Sequence, residues 1–368
     1  IADVAVFYNA EGEWTGGKNQ LFYDTCRTLT QGLIDFDIVP YDAIKDAKVE
    51  NGRLQINGES YGALIISESE ILPYDRLSAF ARLSRKGLPV IFTDSLPSKS
   101  AESVDISDIL PCFEAISGSL IADNLRSHGL CQLSGEGKGI DLLRFYHIRR
   151  EGKDIYLFSN EGIKNDIDAS ISLSHCGDCM IYEPWENKLY RSDARDGVLK
   201  LNIEKGNMLF VIFGDEIPSD IPYFKRAFER EEIDMRFDIS VKDEGEDSYR
   251  LIAKDSEPFD ISAPDKMSSF SGEIKYEGVF TSRDGFNTID FGEVGEVIEL
   301  WLNGKYLGAR INAPYKFDMS SALVQGENKI EAIVKSNLAH RRRDMLSSFI
   351  QIPPSGIMGR IALYKYGI

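Results

Sequence analysis

The spacing of apolar residues changes once along this chain, near residue 139, and that change limits what it can fold into. Before it, strand-like and helix-like stretches alternate: "VAVFY" (residues 4–8), a helical run in which Leu21, Thr25, Leu29 and Leu33 recur, "FDIVPYDAI", "GALIISES", the helical "PYDRLSAFARLSRKG" closed by Gly87, and "PVIFTD". Strands this continuously apolar are buried on both faces, which requires a parallel sheet covered by helices on both sides. Residues 1–138 are therefore expected to form a flavodoxin-like α/β domain.

Beyond residue 139 the period is two. "LLRFYHIRREGKDIYLFSNEG" reads as a hairpin about Glu151-Gly152, and "ASISLSH", "CMIYEPW", "KLYRS" and "GVLKLNIEKGNMLFVIFG" follow as short strands. They predict a small all-β module over 139–233, ended by a helix over 219–233 with Ser219 or Asp220 as its cap. From residue 234 eight strand-like runs with regular turn signals predict a jelly-roll β-sandwich over 234–368. Within it "ELWLNGKYLGARI" centres Asn303-Gly304 between alternating runs, the pair that a tight type I′ turn demands. The fold class is thus α/β plus all-β.

Charge and cysteine usage narrow the functions. With 42 Lys+Arg against 59 Asp+Glu the net charge is −17, which repels polyanions and argues against a nucleic-acid partner. No run near 18 apolar residues predicts a membrane span. The start at Ile1, without Met, leads to the expectation of a piece processed or excised from something longer. The five cysteines, Cys26, Cys112, Cys131, Cys176 and Cys179, do not form a disulfide framework. "HCGDC" (His175, Cys176, Cys179) lacks a second ligand pair for zinc, since His128, His147 and His340 have no partner spacing, so it is read as a hairpin tip with its thiols free or locally bridged. No metal and no cofactor is expected.

Parallel sheets bind ligands at the carboxyl ends of their strands. The loop "NAEGEWTGG" there lacks phosphate-binding glycine spacing, and "SESEILP" is acidic. An amidotransferase nucleophile would need a Cys on a tight Gly-flanked turn, a context neither Cys112 nor Cys131 has. Glu11, Glu13 and Trp14 are the most site-like residues of this region: carboxylates beside an indole suit a sugar or an interface, or else form a polar loop with one aromatic tucked against the sheet edge.

The stretches "FSGEIKYEGVF", "IDFGEVGEVIELWLNGKYLGARINAPYKFDMSSALVQGENKIEAIVKSN" and "PPSGIMGRIALYKY" resemble the galactose-binding-like sandwich that accompanies many glycoside hydrolases, nearest to the α-L-rhamnosidase-like family. In that family an "N…R…D" segment precedes an S-G-[LI]-x-G strand; the counterpart here is "SNLAHRRRDMLSSF", carrying Asn337, Arg343 and Asp344. "RFYHIRREGKDIYLFSNEG" resembles a hairpin of the same enzymes, and the N-terminal sheet resembles the amidotransferase-like accessory domain of several glycosidases. These enzymes work with two carboxylates in a (β/α)₈ barrel, which needs roughly 250 residues by itself. No eightfold strand-helix alternation exists in this chain, so the resemblance implies a catalytic pair outside it. The acidic groups Asp290, Glu293, Glu296 and Asp255, Glu257, Asp260 are read as solvated loops.

The resemblance therefore implies a non-catalytic C-terminal portion of a glycoside hydrolase, with α-L-rhamnosides as the substrates of its nearest family, that serves as scaffold and carbohydrate-contact surface for a barrel absent here. The alternatives are an independent carbohydrate-binding or adhesion protein and an amidotransferase-like enzyme. Sugars are held by aromatic faces and planar polar side chains, so Trp301, Tyr315, Arg310 and Asn312 are the candidate carbohydrate contacts, beside Tyr306 and Phe317. In "VIELWLNG" the aliphatic Ile298, Leu300 and Leu302 share one face, which turns Trp301 outward, to sugar or to a neighbouring domain. Glu11, Glu13, Trp14 and Arg343 are candidate domain or ligand contacts; the run Arg341 to Arg343 either pairs with local carboxylates or docks on the barrel. The resemblance also leads to the expectation of a secreted, periplasmic or cell-surface location.

Overall fold

The structure is a computed structural model that describes residues 1–214, 216–342 and 352–367. It is mostly β and gathers into two compact units, Ile1–Tyr223 and Phe224–Ile368.

The first unit opens with five parallel strands: β1 (Val4–Phe7), β2 (Phe36–Val39), β3 (Ala63–Ile66), β4 (Val90–Thr93) and β5 (Glu114–Ile116). Their order in the sheet is β2-β1-β3-β4-β5. Every residue of β1, β3 and β4 is buried, as their unbroken apolar runs require. Helix α3 (Tyr74–Ser84) covers one face, where Leu77, Phe80 and Leu83 pack with Phe7, Leu64, Ile66 and Phe92. Helices α2 (Phe22–Gln31) and α4 (Ile121–Ser127) cover the other, where Leu29, Ile121 and Leu125 pack with Val4, Val6, Ile65 and Ile91. The stretch after β1, expected as a loop, holds a single helical turn, α1 (Ala10–Trp14), because the Asn9 side chain caps it by accepting from Gly12 N at 3.0 Å.

An eight-stranded antiparallel sheet completes this unit: β6 (Leu133–Lys138), β7 (Leu143–Arg150), β8 (Lys153–Asn160), β9 (Ile167–Leu173), β10 (Gly177–Glu183), β11 (Lys188–Arg195), β12 (Val198–Ile203) and β13 (Met208–Phe213). Their order is β6-β9-β12-β11-β10-β13-β8-β7. The turn between β7 and β8 falls at Glu151 and Gly152, whose φ values are 53° and 79°. "HCGDC" is not the hairpin tip expected from its Gly-Asp pair. Strands β9 and β10 are separated in the sheet by β12 and β11, so His175 and Cys176 lie in a crossover and Cys179 sits buried within β10. All five cysteines are free.

The second unit is built mainly on two antiparallel sheets sharing one core. The smaller joins β14 (Arg226–Glu232), β18 (Thr288–Asp290), β21 (Lys316–Asp318) and β23 (Ala362–Gly367) in the order β14-β23-β18-β21. The larger joins β15 (Phe237–Asp243), β16 (Arg250–Ser256), β17 (Gly272–Thr281), β19 (Val297–Leu302), β20 (Lys305–Arg310) and β22 (Glu327–Lys335) in the order β16-β15-β17-β22-β19-β20. Ile289, Phe317 and Leu363 from the first meet Ile239, Ile274, Tyr276, Leu300 and Val334 from the second. The helix expected over 219–233 is absent and its second half is strand β14. Pairing with β23 overrides the helical spacing of Phe224 and Phe228, and the charged run Glu229 to Glu232 suits an edge strand that must not recruit another.

Candidate functional site

In the first unit the carboxyl ends of the parallel strands, where such sheets hold ligands, are closed by their own side chains. Asn9 Nδ2 donates to Ser69 Oγ at 2.5 Å, and Ser69 Oγ to Asn19 Oδ1 at 2.8 Å. Thr93 Oγ1 donates to Gln20 Oε1 at 2.6 Å and accepts from Glu68 N, while Thr25 and Ser67 share a hydrogen bond at 2.8 Å. Glu68 is held by Lys18 at 2.7 Å and Ser95 at 2.6 Å. A Cβ on Gly12 would meet Asn9 Nδ2 at 2.4 Å, so the backbone there has no room for a side chain. Asn9, Thr25, Ser67, Ser69 and Thr93 are all buried. Polar groups bonded to one another in this way hold structure together.

A second polar cluster lies on the eight-stranded sheet. Asp154 Oδ1 accepts from His147 Nε2 at 2.8 Å and from Arg149 Nε at 3.1 Å, and Oδ2 lies 3.1 Å from His175 Nε2. Burial works to raise the Asp154 carboxyl, but the hydrogen bonds from Arg149, His147 and His175 together hold it below the ordinary carboxylate range. The His147 ring stacks on Tyr156 at 4.0 Å, and burial depresses its basicity despite the Asp154 charge. No group of three or more His, Cys, Asp or Glu among the described residues is placed to hold a metal ion.

An open concavity lies in the second unit, a groove of about 670 Å³ on the solvent face of the six-stranded sheet. Alternation along β19 buries Ile298, Leu300 and Leu302 and turns Val297, Glu299 and Trp301 outward, as expected. The turn at Asn303 (φ 50°) and Gly304 (φ 80°) brings Tyr306 opposite Trp301, with ring centroids 4.8 Å apart. From this pair the register runs straight across the sheet through Glu331 on β22, Glu277 on β17 and Asp238 on β15. One row thus carries two aromatic rings and three carboxylates. Arg236, bonded to Asp255 at 3.2 Å, Val279 and Lys329 complete the wall.

The structure separates the other candidates from this groove. Tyr315 belongs to the core, its hydroxyl donating to Glu296 O at 2.9 Å, so it presents no face to a sugar. Arg310 lies over the Phe317 ring at 4.8 Å, and Asn312 sits in the loop after β20; neither lines the groove. Glu11 is tied to Arg76 at 2.8 Å, and that guanidinium lies over the Tyr41 ring at 3.9 Å. Glu13 is exposed, and Trp14 is 80% exposed rather than tucked against the sheet. Arg341 pairs with Asp243 and, at 3.3 Å, with Glu244, while Arg343 and Asp344 fall outside the described residues. Sequence reasoning missed Asp238, Glu277 and Glu331. Each is an acidic residue at an outward position of an alternating strand, but only the strand order aligns them.

No family model and no curated protein matches the sequence. Among solved structures the chain is similar to a rhamnosidase from Novosphingobium sp. PP1Y, at TM-score 0.65 and 18% identity, over 99% of this chain and 39% of that one. It is also partly similar to a GH42 β-galactosidase from G. stearothermophilus (TM-score 0.39, 8% identity, 58% of this chain and 40% of that one). A GH42 exo-carrageenase from Bacteroides ovatus gives TM-score 0.38 at 12% identity, over 56% and 28%. The first likeness is one of fold, and it extends over almost all of this chain, which spans about two-fifths of the rhamnosidase's length. No helix among the described residues is long and apolar enough to cross a membrane.

Proposed function

We propose that this chain is an accessory, carbohydrate-contacting portion of a glycoside hydrolase whose catalytic carboxylates lie elsewhere in a longer protein. The observation that carries this reading is Trp301, packed beside Tyr306 at the end of a carboxylate row and lining a groove of ligand size. Pockets for small molecules run from about 300 to 1,000 Å³ and combine apolar faces with a few convergent polar groups; this groove, of about 670 Å³, does both. The indole offers a face to the C–H surface of a sugar, and the carboxylates accept from its hydroxyls.

The finer fold reading belongs here too. The order β2-β1-β3-β4-β5 supports a flavodoxin-like N-terminal sheet, and two antiparallel sheets about one core support a jelly-roll of the galactose-binding-like kind. The closed strand ends of the first unit favour a scaffold role for it over amidotransferase chemistry. A rhamnoside-cleaving parent, and with it a secreted, periplasmic or cell-surface location, is supported by the fold likeness to the rhamnosidase chain.

Calorimetric titration or a glycan array on the intact chain, beside Trp301→Ala, tests the reading. Binding by the parent that the variant loses supports it; absence of binding by either leaves a scaffold only. The rival, an independent binding protein, is separated by the sequence upstream of Ile1, where a βα barrel repeat supports the enzyme portion.

A further inference from the structure

Opposite charges compensate one another over much of the groove's sheet face. Lys242 meets Glu273 at 3.0 Å, Lys335 meets Glu299 at 2.7 Å, and Lys275 meets Glu277 at 2.9 Å. The row through the groove departs from this pattern, because Asp238, Glu277 and Glu331 are consecutive members of one register line. Like charges directly opposite on neighbouring strands destabilise a sheet. Asp238 accepts from Asp255 N at 2.9 Å and Glu277 has Lys275, but Glu331 has no ion pair or hydrogen bond among the described residues. The next member of the row is Trp301, then Tyr306.

A carboxylate without a partner, opposite a second carboxylate on one side and an outward indole on the other, is suited to a cation. The carboxylates supply charge-assisted hydrogen bonds and the indole face attracts positive charge. A uronate or sulfate would instead bring a further negative charge to a wall that already carries Asp238, Asp255, Glu277 and Glu331 against Arg236 and Lys329. Resting on the reading of this groove as a glycan site, we infer that it selects glycans bearing a free amino group. The sugar ring lies on Trp301, its ammonium sits between Glu331 and Glu277, and uronic or sulfated sugars are rejected.

The test is calorimetry on the intact chain below about pH 6.5, where sugar amines are charged. The ligands are a β-1,4-linked glucosamine oligomer, its fully N-acetylated counterpart, a galacturonic acid oligomer and, as a charge control, a lysine oligomer. The glucosamine oligomer is expected to bind about tenfold more tightly than the acetylated one at low salt. Glu331→Gln should bring the two within a few-fold of each other, and Trp301→Ala should abolish both. Equal affinity for the two oligomers overturns the amine selectivity and leaves the glycan groove standing; no binding of any sugar overturns both. Binding of the galacturonate oligomer overturns the selectivity. A lysine oligomer that binds as well as glucosamine, or glucosamine binding that survives Trp301→Ala, assigns the effect to bulk charge and likewise overturns it.

Discussion

The rings of Trp301 and Tyr306 lie 4.8 Å apart with their planes inclined at 45°, across a hairpin whose other face is core. Removing either partner breaks the same contact, but of the two only Trp301 lines the groove. Tyr306→Ala is expected to lower stability by about 0.5 to 1 kcal/mol, read from the urea midpoint, while weakening glycan binding only a few-fold. A loss of binding equal to that of Trp301→Ala would show the two rings to act as one platform.

Glu331 faces Glu277 across the row and has no ion pair of its own among the described residues, so neutralising it should help the fold. Glu331→Gln is expected to raise stability by about 0.5 kcal/mol at low salt, and the gain should shrink as salt screens the row. Thermal unfolding at two ionic strengths measures both. An unchanged or lowered midpoint would mean that the carboxylate has found a stabilising partner.

The turn residues behave differently from one another. A Cβ on Gly304 meets nothing within 4 Å, so Gly304→Ala carries only the strain of its positive φ, about 1 kcal/mol. Asn303 also donates to Ala322 O at 2.9 Å and Asn328 Oδ1 at 2.8 Å, and accepts from Lys329 N. Asn328 is fully buried, so Asn303→Ala takes one of the two donors from its Oδ1 and the acceptor from Lys329 N, and is expected to cost about 2 to 3 kcal/mol. Denaturant midpoints of the two variants should rank in that order.

Acid should weaken the first unit through Asp154 and His147. Both are held below their ordinary values, so each adds stability above its unfolded pKa, near 6.5 for His and 3.9 for Asp, and loses it as pH falls through the folded value. The urea midpoint is expected to drop from about pH 6.5 downward, and Asp154→Asn should flatten the acidic part of that curve. At neutral pH Asp154→Ala should cost about 3 kcal/mol, because it strips both histidines and Arg149 of their shared acceptor.

Thiol chemistry separates the cysteines. Burial pushes the Cys179 thiol up to about 12 and that of Cys26 up to about 11, whereas Cys176 stands exposed in the crossover. A thiol reagent on the native protein should modify Cys176 first, and Cys179 only on unfolding. Rapid native labelling of Cys179, seen by peptide mapping, would contradict its placement within β10.

Local patterning carried much of the fold and little of the site. The buried strands of the parallel sheet, the Glu151-Gly152 turn and the outward face of Trp301 follow from periods and turn chemistry that a few neighbouring residues decide. The carboxylate row does not, because Asp238, Glu277 and Glu331 come from strands separated by long stretches of chain and meet only through the sheet order. Aromatic character says nothing of direction: its short loop turns Tyr315 inward, where a backbone carbonyl takes its hydroxyl. The strand at 226–232 was misjudged because its ladder partner lies far along the chain, at 362–367.

The closed end of the parallel sheet has a consequence for how this chain tolerates change. In a saturation screen for folding, positions 9, 25, 67, 69 and 93 should be as intolerant as Leu64 or Phe92, although every one is polar and hydrophobicity alone would mark them as free. Hydroxyls and amides do there what methyl groups do elsewhere: they interlock. Apolar replacements of matching size, made singly, should fail, and compensating pairs should be recovered more often than single substitutions.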